Sequence, residues 1–177
     1  MIVLGVDPGT VATGYGVVQR IGSRLICLEA GEVRSSPRLP MPERLLAIHD
    51  RIRDLLQRHS PQSVAVETAF ISKLKSPQTA IKLGQARGVI LLACARAGVP
   101  VADVNPVTAK QSVAGYGRAD KEQVMFMIQR LLGLTSPPSS EHSADALALA
   151  LAHLQTSRLT ALTATTAGKT TVMRKPA

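Results

Sequence analysis

The chain has 177 residues, 45% hydrophobic and only 2% aromatic, with no tryptophan and a formal net charge of +9. Such a length and apolar share suit one globular domain with an aliphatic core, and the basic surplus suits a polyanionic partner. No apolar run approaches the roughly 18 residues of a membrane span, and no strongly basic amphipathic helix is present to lie on one.

The N-terminus "MIVLGVDPGT" lacks a basic start and places Asp7 where a secretion signal stays apolar. Cys27 and Cys94 have neither CxxC nor CxxH spacing, so both are expected to be free, buried thiols of a cytoplasmic protein. Arg158, Lys169, Arg174 and Lys175 lie in a C-terminal stretch without acids. The remaining 17 basic residues still outnumber the 12 acids.

In chain order, "IVLGV" (2–6) predicts a buried strand stopped by "DPG". "GYGVVQR" (14–20) and "LICLEAGEV" (25–33) extend it into an antiparallel meander. After the proline-rich loop 35–42, residues 43–58 space Leu45, Ile48, Ile52, Leu55 and Leu56 as one face of a helix. "SVAVE" (63–67) predicts a fourth strand, followed by the loop "TAFISKLKSP" and a long helix over 78–97. "VPVADV" (99–104) predicts a fifth strand. Asp120 and Gln123 form a capping box for a helix over 121–132. Ser139 or Ser140 caps a last helix that runs to about 155.

This order predicts an α/β domain over 1–156, a mixed five-stranded sheet with helices on both faces. Residues 157–177 are expected to be a basic, disordered tail.

Three acids stand at element ends where a core would not want them: Asp7 after strand one, Glu67 ending strand four, and Asp145 in the first turns of the last helix. If strands one and four are neighbours and the last helix crosses them, the carboxylates converge. Converging carboxylates need a proton or a cation between them, and hard oxygen ligands suit Mg²⁺ or Mn²⁺. Each acid also has a plain reading: a turn aspartate, a strand-end surface acid, or an acid at the positive end of a helix. His142, three residues before Asp145, shares its helical face. The helix N-terminus is expected to keep that imidazole neutral and able to bind metal. His49, His59 and His153 have no such acidic partners and are read as structural.

"GVDPGT…TGYGVV", "KLGQARG", "TAKQSVAGYGRADKEQV" and "ADALALALAH", in that order, resemble the RuvC family of Holliday-junction resolvases over residues 2–155. The resemblance implies a ribonuclease H-like fold, a homodimer, and endonuclease activity on four-way DNA junctions with two divalent metal ions per site. It also implies the RuvA–RuvB branch-migration complex as a partner. By position, Asp7, Glu67 and Asp145 match three of the family's metal-binding acids, and His142 stands where the best-known members have a fourth, an aspartate. Nitrogen in that place is expected to favour Mn²⁺ over Mg²⁺.

For the DNA, the resemblance points to Phe70 as a residue that stacks on an unpaired base, beside Lys73 and Lys75. It places Lys110 and Lys121 near the scissile phosphate, with Tyr116 and Arg118 adding contacts. Gly84 and Gly88 leave a flat strip on the long helix, for packing against the sheet or a second subunit.

Three other readings remain. "DPGT" is similar to the phosphate loop of the actin-like and sugar-kinase superfamily, but that fold needs a second domain. A non-catalytic junction-binding protein and a nuclease of the ribonuclease H type are the others.

Overall fold

The computed structural model describes residues 1–68, 76–115 and 120–167, with side chains as far as residue 157. Strands β1 (Ile2–Asp7), β2 (Ala12–Ile21) and β3 (Arg24–Arg34) form the expected meander. They are followed by α1 (Met41–His59), β4 (Ser63–Glu67), α2 (Pro77–Arg96) and β5 (Val101–Val104). Helices α3 (Pro106–Ala114), α4 (Lys121–Leu132) and α5 (Glu141–Ala167) complete the chain. The sheet order is β3-β2-β1-β4-β5, with β1, β4 and β5 parallel.

Two aliphatic cores cover the two faces. Leu4, Val6, Val17, Val64 and Val66 meet Ile48, Ile52 and Leu55 of α1 and Ile90 of α2. Val3, Val18 and Ala65 meet α5, which α3 and α4 cover on its other side. Helix α5 is therefore buried all round from Ala146 to Ala152, which accounts for its alanine- and leucine-rich composition without a polar face.

The second core depends on glycine. Gly5 and Gly16 are direct neighbours across β1 and β2, and Gly14 faces Asp7 in the same ladder. A Cβ on Gly5 would stand 1.9 Å from the backbone oxygen of Ala146, and one on Gly14 would stand 1.9 Å from that of His142. Three missing side chains thus form a trough that lets the α5 backbone rest on the strands.

Several boundaries differ from expectation. Helix α3 lies in a stretch for which the sequence predicted no element. Asn105 caps it by accepting from the Val107 N–H at 2.8 Å, with Pro106 in its first turn and Gly115 ending it at φ +82°. Helix α5 continues to Ala167, past the expected end near 155, because no glycine or proline interrupts it before Gly168. Cys94 is buried, but Cys27 is only partly so. The Gly84–Gly88 strip does not meet the sheet: among the described residues nothing lies within 4 Å of a Cβ at either position. Ala86, Ile90, Ala93 and Cys94 face inward instead.

Candidate active site

Side chains alternate along a strand, so Asp7 follows Val3 and Gly5 onto the α5 face, and Glu67 follows Ser63 and Ala65 onto it. The parallel register pairs Val6 with Val66, which sets Asp7 and Glu67 side by side at the carboxyl ends of their strands. The loop after Asp7 is held from within: the Thr13 hydroxyl donates to the Gly9 carbonyl at 2.6 Å, and the Gly9 N–H donates to Thr13 Oγ1 at 3.2 Å. The buried Arg44 guanidinium donates to the Thr10 carbonyl at 2.8 Å.

Helix α5 supplies the other side. Ser140 caps it reciprocally with Ser143, each accepting the other's backbone N–H, at 3.1 and 3.2 Å. Two residues on from Ser140, in the first turn, His142 Nδ1 lies 2.8 Å from Asp7 Oδ2. Asp145, one further turn along, borders a cleft of about 120 Å³ shared with Glu67 and Lys110. Lys110 comes from α3 and Lys121 from the first residue of α4, and both line the neighbouring cleft with Asp145 and Glu141. Lys121 is paired with Glu141 there.

The charges are in tension. Burial, a hydrogen bond to Asp7 and the charges of Asp7 and Asp145 push the Glu67 carboxyl up to about 8, against the opposing pull of Lys110. Burial and Asp7 also raise Asp145, while Lys110, His142 and Lys121 act to lower it. The expectation that the helix end keeps His142 neutral is corrected. Its pKa is raised, chiefly by the hydrogen bond to Asp7, because a carboxylate in direct contact outweighs a helix dipole.

Among the described residues no group of three or more His, Cys, Asp and Glu side chains is placed to hold a metal ion as it stands. Asp7 is engaged by His142 on one side and Glu67 on the other. The donor set nevertheless fits a hard divalent cation. Three crowded carboxylates retain a proton above the normal range of a carboxylic acid, and a cation would relieve the same repulsion.

Asp7, Glu67, His142, Asp145, Lys110 and Lys121 thus gather at one end of the sheet. Phe70, Lys73, Lys75, Tyr116 and Arg118 lie outside the described residues. His49, His59 and His153 bond elsewhere, to Asp50, Glu29 and Ser63 respectively. Sequence reasoning passed over Arg87, within "KLGQARG". Its guanidinium donates to the Glu67 carbonyl at 2.9 Å and pairs with Asp103 at 2.5 Å, fixing the end of β4. The motif was legible, but a lone arginine on a helix carries no sign of the strand end it will reach.

The profile of the family described as "Crossover junction endodeoxyribonuclease RuvC" matches residues 3–153. The chain belongs to the RuvC family. A family member from Pelotomaculum thermopropionicum is 44% identical over 153 residues, which cover 86% of this chain and 92% of that one. A solved Thermus thermophilus RuvC structure superposes with a TM-score of 0.82 at 40% identity, over 90% of this chain and 97% of that one. Thermus thermophilus RuvC in complex with Holliday junction substrate gives 0.84 at 40% identity, over 90% and 96% of the two chains. The RuvC resemblance and the ribonuclease H-like architecture drawn from the sequence are both borne out.

Proposed function

We infer that this protein is a crossover junction endodeoxyribonuclease that resolves Holliday junctions by paired symmetric nicks in recombination and repair. Family membership supports the activity. The observation that carries the mechanism is the meeting of Asp7, Glu67, Asp145 and His142 beside Lys110 and Lys121.

Asp7, central in the cluster, would hold the divalent ions together with Glu67, His142 and Asp145. Bound there, such ions activate water and stabilise the leaving oxygen of a phosphodiester. Glu67 gives up its retained proton to become a ligand, and His142 gives up the hydrogen that Nδ1 shares with Asp7. Lys110, already close enough to act on both Glu67 and Asp145, neutralises the scissile phosphate. Lys121 exchanges Glu141 for a phosphate oxygen, helped by the free N–H groups that open α4.

Two nicks placed symmetrically call for two sites related by a two-fold axis. The outward face of α2 offers the surface: Ile81 and Leu92 are 61% and 54% exposed, with Gly84 and Gly88 flat between them. A homodimer formed there is the working form, and the RuvA–RuvB branch-migration complex is its partner in the cytoplasm. Among the described residues no helix is long and apolar enough to cross a membrane.

The test is cleavage of a synthetic four-way junction against linear duplex, in Mg²⁺ and separately in Mn²⁺. Paired nicks on the junction alone, reduced about 100-fold or more in Asp7→Asn, are expected. Junction binding without nicking in either metal would leave a binding protein in place of the nuclease.

A further inference from the structure

Glu32 in β3 is directly opposite Gly14 in the β2–β3 ladder. Opposed residues in an antiparallel pair project to the same face, and on that face Gly14 lies beneath the His142 backbone. The Glu32 side chain is therefore held beside the first turn of α5. One carboxylate oxygen, Oε1, pairs with Arg34. The other, Oε2, is buried and is the only such side-chain atom among the described residues without a close hydrogen-bond partner, the Ser140 hydroxyl at the α5 cap being a further donor that acts on this carboxylate. A buried carboxylate oxygen left unpaired is costly. His142 is near enough that its charge and that of Glu32 act on one another.

The imidazole has a matching need. Facing the Asp7 carboxyl group, Nδ1 is the ring nitrogen this contact engages, and as a donor it holds the hydrogen there. To give that nitrogen's lone pair to a metal, His142 must hold its remaining hydrogen on Nε2. Nε2 has no hydrogen-bond partner among the described residues. A ligating histidine ordinarily donates its second N–H to a carboxylate or carbonyl, which fixes the tautomer and the ring.

We propose that Glu32 is the positioning residue of His142, its buried Oε2 accepting the imidazole N–H turned away from Asp7 and so selecting the tautomer that ligates metal through Nδ1. Glu32 touches neither the metal nor the phosphodiester; it acts through the histidine. The proposal rests on His142 being a ligand, as set out above.

Mn²⁺ affinity, measured by the electron paramagnetic resonance signal of free Mn²⁺, tests it in Glu32→Leu, Glu32→Gln, His142→Ala and the double variant Glu32→Leu/His142→Ala. Thermal midpoints without metal are recorded alongside. Glu32→Leu is expected to weaken Mn²⁺ binding about 10-fold or more. Glu32→Gln should recover most of the loss, since its amide oxygen still accepts. The double variant should bind no worse than His142→Ala alone.

Wild-type affinity in Glu32→Leu would overturn the proposal, whatever its thermal midpoint, and reduce Glu32 to a partner of Arg34. Losses that multiply in the double variant would also overturn it. Unchanged affinity in His142→Ala would instead remove the ligand reading beneath it, an outcome distinct from the other two.

Discussion

His142 is pulled toward protonation by Asp7 while its proposed task needs a free nitrogen lone pair. Metal binding at this residue is therefore a competition with a proton. The nitrogen donor also carries a preference, being softer than a carboxylate oxygen would be in its place. His142→Asp is expected to shift the ratio of cleavage rates toward Mg²⁺ by several-fold, about 1 kcal/mol of selectivity. Parallel junction-cleavage rates in matched Mg²⁺ and Mn²⁺ decide it, and an unmoved ratio would mean that the residue does not set the metal. The histidine was legible in the sequence because it stands one turn before Asp145. Its titration was not, because Asp7 lies 135 positions away along the chain and only the fold brings the two to 2.8 Å.

At the scale of elements, the contact between α5 and the sheet sets where the four proposed ligands meet. The glycine trough allows that contact, and its members differ in what surrounds them. At Gly5 and Gly14 an added methyl meets backbone oxygens, which cannot turn away, whereas at Gly16 it meets the Leu147 side chain at 2.6 Å. Gly5→Ala and Gly14→Ala are accordingly expected to cost at least about 3 kcal/mol, and Gly16→Ala less, because part of that clash relaxes through a rotamer. Denaturant unfolding would measure the order, and equal costs at all three positions would refute it.

The strands and most helices were readable from periodicity and caps. Asp120 and Gln123 do form the expected box, with the Gln123 N–H donating to Asp120 at 2.8 Å. Helix α3 was missed although Asn105-Pro106 is an N-cap signal, because it is only nine residues long and carries no amphipathic stripe. The trough was hidden for a different reason. "TGYGVV" reads as a strand whichever way it faces, and a glycine shows no partner until a helix lies on it.

For the whole molecule, the crowded carboxylates tie stability to pH and to metal. The Glu67 carboxyl is raised in the fold from an ordinary 4.5 to about 8. Below about 4.5 both folded and unfolded chains hold its proton and the group is neutral toward folding. As pH rises through that interval the unfolded chain ionises first, so stability falls until the folded pKa is passed. Asp145, also raised, acts in the same direction. Glu29 opposes them at the acid end: burial would raise it, but His59, Arg51 and Arg58 outweigh burial and lower it, so its contribution is lost as pH falls.

A divalent ion replaces the retained proton, so the gain in Tm on adding Mn²⁺ should be larger at pH 8.5 than at pH 6. Glu67→Gln should raise the Tm of the metal-free protein at pH 8.5 and flatten its pH dependence. Calorimetry at the two pH values checks both, and equal gains in Tm would separate the cluster from the metal.

The cluster is also divided along the chain. Asp7 belongs to the first strand and Asp145 to the last helix, and the packing of α5 on the sheet brings them together. Helix α5 carries His142 and Asp145 and also covers one face of the sheet, so its loss removes half the cluster together with the packing behind Asp7 and Glu67. The cluster is therefore a property of the finished fold: a copy whose α5 has left the sheet has also lost the meeting of Asp7 with His142.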